Sequence, residues 1–70
     1  MKRERVVSES LASAGYNPET RVLEAEFTSG TVYRYWNVPP REYENLMTAP
    51  SKGRYFNQHI RDRYEYEVVG

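Results

Sequence analysis

The residues Ser51-Lys52-Gly53-Arg54 combine the chemical groups best suited to holding an anion. Ser51 can cap a helix, Gly53 allows close backbone approach, and Lys52 and Arg54 supply two cations. The first N–H groups of a helix are free and the dipole is positive there, so a phosphate can bind with help from both cations. The alternative is an ordinary cap, with Gly53 required for packing and both cations solvated. The motif is shorter than a P-loop and follows no strand, so it does not indicate nucleotide-triphosphate binding.

A second candidate surface is the strand face that carries Arg34 and Trp36. An exposed aromatic ring beside an arginine on an open sheet can stack an unpaired base and contact its phosphate. Glu24 and Glu26 share this face, however, and would repel phosphates. The alternative is that Arg34 pairs with Glu24 while Trp36 packs at the strand end against the Pro39-Pro40 turn.

The third constellation surrounds His59, with Tyr55 and Arg63 one turn away and Asp62 close by. A histidine beside phenolic and acidic groups can act as a general acid or base. The chain has no second histidine and no cysteine, and spacing brings no serine to His59. We therefore predict a half-buried helix histidine, no enzymatic activity, no cofactor and no metal site.

Strands and turns precede the helices along the chain. Residues 11–16 form a stretch of mostly small residues, and Asn17-Pro18-Glu19-Thr20 is typical of a turn. Residues 21–27 and 31–36 alternate as strands do. The predicted fold class is α+β: a three-stranded antiparallel meander followed by two short α-helices packed on one face. The alternating residues 64–69 can add a short C-terminal strand.

The loop between the last two strands of the meander fixes which side chains share a face. A three-residue loop, Thr28-Ser29-Gly30, with glycine in the left-handed third position fits the sequence. Counting outwards places Leu23 opposite Tyr35 and Ala25 opposite Tyr33. Both tyrosines then belong to the core face, and a slip of one residue would reverse every assignment.

Two proline signals delimit the helices. The first helix is predicted to begin at Pro39-Pro40 and to end at Pro50, and the second to run from the Ser51 cap to about Arg63. Each helix has an apolar stripe at helical spacing, which packs on the sheet. The predicted structural core is Leu23, Ala25, Phe27, Tyr33, Tyr35, Tyr43, Leu46, Met47, Phe56 and Ile60.

Length and composition limit the class of protein. Seventy residues suffice for one small domain, and the seven tyrosines outnumber every other aromatic type, so tyrosine must build part of the core. The lack of cysteine excludes disulfides and thiolate-held zinc. No apolar stretch of signal-peptide or membrane-span length follows the basic start, which predicts a cytoplasmic protein without a membrane partner.

The formal net charge of zero conceals an uneven distribution. Residues 1–16 carry a net charge of +1, residues 17–48 of −2, residues 49–64 of +3 and residues 65–70 of −2. Neutrality excludes a strong general polyanion binder. Because salt screens charges beyond about 8–10 Å, the basic segment can still act locally on one phosphate-sized group.

Several motifs together resemble one known family. They are Gly15-Tyr16-Asn17-Pro18-Glu19-Thr20, Tyr33-Arg34-Tyr35, Val38-Pro39, the run from Ala49 to Asn57, Ile60-Arg61 and Tyr64. In this order they resemble the KTSC domain, a small module of the C-terminal region of some lysyl-tRNA synthetases that also occurs as a free-standing bacterial protein. The resemblance covers roughly residues 8–66. We predict a loose arm or a short edge strand over residues 1–9, a single KTSC-like domain over 10–66 and a tail over 67–70. The resemblance suggests RNA binding and implies no catalytic residues.

The sequence therefore predicts a weak, sequence-independent RNA-binding module that contacts RNA or tRNA phosphates. Lys2, Arg3 and Arg5 of the arm can contribute cations. The predicted nucleic-acid-binding residues are Ser51, Lys52, Gly53, Arg54, Arg61, Arg63, Arg34 and Trp36. The alternative is a protein-interaction module that uses surface tyrosines and an exposed sheet edge. The oligomeric state stays open, as does whether Tyr33 and Tyr35 serve the core or a binding surface.

Overall fold

The computed structural model describes residues 3–6, 8 and 10–70. They form an antiparallel sheet of five strands in sequential order, where the sequence predicted three. The strands are β1 (Glu4–Arg5), β2 (Leu11–Asn17), β3 (Val22–Phe27), β4 (Val32–Tyr35) and β5 (Tyr66–Val68), and the helices α1 (Pro40–Thr48) and α2 (Lys52–His59) lie between β4 and β5. The α+β class is confirmed, and so is the short C-terminal strand.

The two additional strands lie at the two edges of the sheet. In β1, Glu4 pairs with Ala14 and Arg5 with Ser13, so part of the predicted arm is an edge strand. At the other edge, β5 pairs with β4, and Val32 continues the pairing by exchanging hydrogen bonds with Val69 and Gly70. Most of the predicted tail is therefore held on the sheet. The prediction of three strands was wrong because it left the outward-facing backbone N–H and C=O groups of β2 and β4 without hydrogen-bond partners.

The turns that join β2, β3 and β4 have the predicted chemistry. The Asn17 side chain accepts a hydrogen bond from the Glu19 N–H at 2.9 Å, and Arg21 closes this turn with a left-handed φ of 59°. Gly30 has φ 94°, in the left-handed region that glycine adopts without steric cost. The predicted register follows: Leu23 pairs with Tyr35 and Ala25 with Tyr33.

The core lies between the helices and one face of the sheet. Six of the predicted core residues are buried, namely Leu23, Ala25, Tyr35, Leu46, Phe56 and Ile60, while Phe27, Tyr33, Tyr43 and Met47 pack against them with partial exposure. Leu11, Ala14 and Val38 are also fully buried. A bulge between Leu11 and Ser13 turns both Leu11 and Ala14 inward, which strict alternation would not do.

The helices begin as the proline and serine signals indicate, but α2 is shorter than predicted. It ends at His59, and the expectation that it reaches Arg63 is wrong. After it, the Arg61 N–H bonds to the Phe56 carbonyl, one residue further back than an α-helix requires. Ile60 is buried at this point, and the chain must turn back to bring β5 beside β4. None of the described helices is long and apolar enough to cross a membrane.

Candidate functional site

An open groove of about 850 Å³ lies where α2 begins and the segment before β2 passes beside it. We call it the cation groove. The described side chains that line it include no carboxylate; they are Ser8, Ser10, Pro50, Ser51, Lys52, Gly53, Arg54, Asn57 and Gln58. The structure thus brings together the four residues that the sequence combined into one anion-binding motif and adds two serine hydroxyls from a distant segment.

Local hydrogen bonds hold the start of α2 in place. The Ser51 hydroxyl accepts a hydrogen bond from the Arg54 N–H at 3.4 Å, as a capping serine does. The Lys52 ammonium donates to the Ala49 carbonyl at 3.3 Å, which ties α2 to the end of α1. Arg54 is exposed and forms no ion pair with any described residue. Its guanidinium is therefore available to a ligand.

Gly53 is buried where α2 meets the segment before β2. A Cβ atom at this position would lie 2.4 Å from the Ser10 Oγ and 2.9 Å from the Ser8 Oγ. The Ser8 hydroxyl in turn accepts from the N–H groups of Ser10 and Leu11, each at 3.4 Å. Gly53 thus packs closely against two serine hydroxyls, in line with the packing role that the sequence left open for it, and the same three residues line the cation groove.

Arg61 lies outside the cation groove, in a second groove of about 300 Å³ that we call the aromatic groove. Five aromatic rings and a few polar side chains form its lining, which is Ser10, Phe27, Ser29, Thr31, Tyr33, Tyr35, Phe56, Asn57, Arg61 and Tyr66. Ser10 and Asn57 line both grooves. The two grooves are therefore neighbours on the same side of the molecule.

Arg34 lies on the opposite face of the sheet, which the helices leave uncovered. It donates to Glu24 at 3.1 Å and lies 3.9 Å from Glu67, while Arg3 donates to the other Glu24 oxygen at 2.9 Å. The sequence left this Arg34–Glu24 pair open as the alternative to a base-stacking surface. Carboxylates therefore neutralise this face, which lies across the sheet from the cation groove. Trp36 lies just beyond β4 and is partly buried, and its backbone N–H donates to the Glu65 carbonyl.

Arg63 lies near a buried carboxylate that sequence reasoning missed. Glu42, in the first turn of α1, accepts hydrogen bonds from the hydroxyls of Tyr55 and Tyr64, the latter at 2.9 Å, and Arg63 lies 3.9 Å away. Glu42 lies one helical turn before Leu46, which belongs to the inward-facing apolar stripe of α1. This spacing could have indicated that Glu42 is buried. The cluster connects α1, α2 and the segment before β5, so Arg63 is engaged at a junction within the fold.

His59 is exposed and stacks on Tyr55, with 4.4 Å between ring centroids. It was expected to be half-buried, and that expectation is wrong because α2 turns its last residue to solvent. Among the described residues, no group of three histidine, aspartate or glutamate side chains is placed to hold a metal ion. Burial raises the pKa of the Tyr55 hydroxyl, and hydrogen bonding to Glu42 raises it further.

A family model described as the KTSC domain matches residues 7–64. A protein of Stutzerimonas stutzeri (strain A1501), described as uncharacterized, is 53% identical over 58 residues, which cover 83% of this chain and 82% of that protein. The lysine–tRNA ligase of Nostoc punctiforme is 46% identical over 54 residues. That match covers 77% of this chain and 10% of the ligase.

The fold is similar to that of a solved structure. The crystal structure of a KTSC domain protein from Yersinia pestis superposes with a TM-score of 0.95 at 38% identity. The superposition covers 99% of this chain and 97% of that protein. The five-stranded sheet with two helices is therefore shared over nearly the full length of both chains.

Proposed function

This chain belongs to the KTSC domain family, and from that premise we propose that it is a small non-enzymatic module that binds RNA weakly and without reading sequence. The cation groove holds the phosphates. Lys52 and Arg54 supply charge, and the first turn of α2 supplies N–H donors and the positive end of the helix dipole. Such a module would act in the cytoplasm, where tRNA is aminoacylated.

The observation that carries this proposal is the composition of the cation groove. Two cations, three serine hydroxyls and two amide side chains line it, and no carboxylate does so among the described residues. Phosphate oxygens accept hydrogen bonds from all of these groups, and contacts to phosphates carry no sequence information. Lys52 and Arg54 are two of the four cations of residues 49–64, a segment with a net charge of +3 in a chain that is neutral as a whole.

Among polyanions, RNA is favoured by the lysine–tRNA ligases to which this chain is similar. Lysine–tRNA ligases carry a segment 46% identical to this chain in a tenth of their length. An appended module that holds tRNA phosphates would raise the local concentration of the substrate of such an enzyme. By itself, one groove with two cations binds a polyanion weakly.

A second candidate function is protein interaction along the β5 edge. Tyr66 and Val68 of the edge strand β5 are exposed by 52% and 59%, and Val69, which directly follows the strand, by 40%. An exposed apolar edge strand can pair with another chain. Binding of this kind would depend weakly on salt, whereas phosphate binding weakens steeply as salt rises.

An NMR titration of the full chain with tRNA, at about 50 and about 200 mM salt, tests the first candidate. We expect amide shifts at the start of α2 that are large at low salt and reduced at high salt. For the double variant Lys52→Gln/Arg54→Gln, we expect binding to fall by about tenfold, since it removes two phosphate contacts.

Arg41→Gln is the matched control for the single variant Arg54→Gln, because Arg41 is an exposed arginine near the start of the other helix. The proposal requires that Arg54→Gln weaken binding more than Arg41→Gln does. If the two variants weaken binding equally, RNA is attracted by the overall charge of the protein and not by the cation groove. An absence of shifts in α2 at low salt would refute RNA binding at this groove, and shifts confined to β5 would favour the second candidate.

A further inference from the structure

We infer that the cation groove and the aromatic groove form one cleft for single-stranded RNA, in which a phosphate binds at the start of α2 and an unpaired base binds against Tyr66 and Tyr33. This inference rests on the proposed function and deepens it, because it specifies the class of RNA. Phosphate binding alone would accept duplex and single strands alike. A base site in addition requires an unpaired base.

The first step is the continuity of the two grooves. Ser10 and Asn57 line both, so the cation groove and the aromatic groove adjoin at these two residues. Arg61 is exposed in the aromatic groove and forms no ion pair with a described residue. Cations are thus available on both sides of the shared residues, as a chain with repeated phosphates requires.

The second step is the exposure of aromatic rings. Tyr66 is 52% exposed and packs edge to face against Tyr33, with 5.5 Å between centroids, and Tyr33 packs in the same way against Phe27 at 5.3 Å. Tyr66 also packs against Tyr35, with 5.1 Å between centroids and 31° between ring planes, so a base can stack only on the side of the Tyr66 ring that faces away from Tyr35. Aromatic faces stack bases of any identity, which agrees with binding that does not read sequence.

The third step is a hydroxyl group without a partner. The Tyr35 ring is only 1% exposed, and its hydroxyl forms no hydrogen bond with any described residue. No fully enclosed side-chain polar atom lacks a partner in the described part of the chain, so this hydroxyl must reach the aromatic groove that Tyr35 lines. A buried phenol in this position is a donor that a ligand can satisfy.

The opposite sheet face provides a contrast within the same molecule. There, Arg34 is neutralised by Glu24 and Glu67. The described lining of the aromatic groove contains an arginine and no carboxylate. Its charge therefore complements RNA, and its volume of about 300 Å³ is at the lower end of the range for small-molecule sites.

The test compares three fluorescently labelled probes by anisotropy with the full chain: a short single-stranded oligoadenylate RNA, an abasic oligomer of the same length and an RNA duplex. We expect the oligoadenylate to bind at least about fivefold more tightly than the abasic oligomer, the lower bound for one stacked base. We also expect it to bind more tightly than the duplex. The variant Tyr66→Leu should lose this advantage, whereas Tyr66→Phe, which keeps the ring, should retain it.

A second variant keeps the test decisive if Tyr66→Leu disturbs β5. Arg61→Gln changes an exposed residue outside all strands and helices, and it should weaken oligoadenylate binding severalfold with an unchanged circular dichroism spectrum. The base site would be overturned, and phosphate binding left intact, by the following result: all three probes bind equally, Arg54→Gln weakens their binding, and Tyr66→Leu and Arg61→Gln do not. No binding of any probe would overturn both proposals. A Tyr66→Leu variant that loses self-association in sedimentation but keeps its binding would instead assign the ring to a protein contact.

Discussion

Replacing Glu42 by alanine is expected to lower the free energy of unfolding by about 3 kcal/mol. Glu42 is 8% exposed and accepts hydrogen bonds from two tyrosine hydroxyls, Tyr55 and Tyr64. A hydrogen bond to a charged group contributes about 1.5–3 kcal/mol. We take the lower end for each, because both tyrosines are partly exposed and their hydroxyls can turn to water once the carboxylate is gone. The exposed Arg63 at 3.9 Å adds less than about 1 kcal/mol.

This loss is large relative to the stability of a small domain, which is on the order of 5 kcal/mol. For a chain of this size, it corresponds to a decrease in Tm of about 12–24 °C. Glu42→Gln should cost less, about 1–2 kcal/mol, because the amide oxygen retains one acceptor bond while the amide nitrogen can donate to the second phenol.

Urea unfolding followed by circular dichroism measures the effect, with Tyr64→Phe as the partner variant. The double variant Glu42→Ala/Tyr64→Phe completes a mutant cycle, and we expect a coupling energy of about 1 kcal/mol between the two residues. A loss below about 1 kcal/mol for Glu42→Ala, or additive effects in the cycle, would refute the view that this carboxylate joins α1 to the segment before β5.

Three further predictions follow from the geometry. Burial raises the pKa of both Tyr64 and Tyr35 from 10.0 to about 12. Their contribution to stability is therefore complete below pH 10 and is lost as the pH rises towards 12. The midpoint of urea unfolding should fall over that pH range, and it should fall less in Tyr64→Phe. Gly53→Ala should destabilise the fold by about 1 kcal/mol, because the new Cβ would lie 2.4 Å from the Ser10 Oγ and this overpacking exceeds the gain in helix propensity. Thermal unfolding of the double variant Gly53→Ala/Ser10→Ala should show that part of the lost stability is recovered. Glu24→Gln should cost about 1 kcal/mol in low salt and less in high salt, since the carboxylate pairs with two arginines on the outer face; equal losses at both salt concentrations would contradict an ionic origin.

The amino-acid sequence determined the features that depend on neighbouring residues. The Gly30 loop, the register of Leu23 with Tyr35, the Arg34–Glu24 pair and the Ser51 cap were all predicted, because turn chemistry, alternation and capping act over a few residues. The motif at residues 51–54 was readable for the same reason. So was the short strand after α2.

The tertiary structure decided every feature that joins distant segments. Alternation indicated β5, but the pairing of β5 with β4 and of β1 with β2 depends on the unpaired edges of the sheet. The burial of Glu42 depends on two tyrosine hydroxyls that lie 13 and 22 residues away. Only the folded chain brings Ser10 against Gly53, and with it the cation groove beside the aromatic groove. Packing between segments far apart in the chain thus decides whether Tyr33 and Tyr35 belong to the core or to a surface: Tyr35 is buried, Tyr33 is partly exposed, and both reach the aromatic groove.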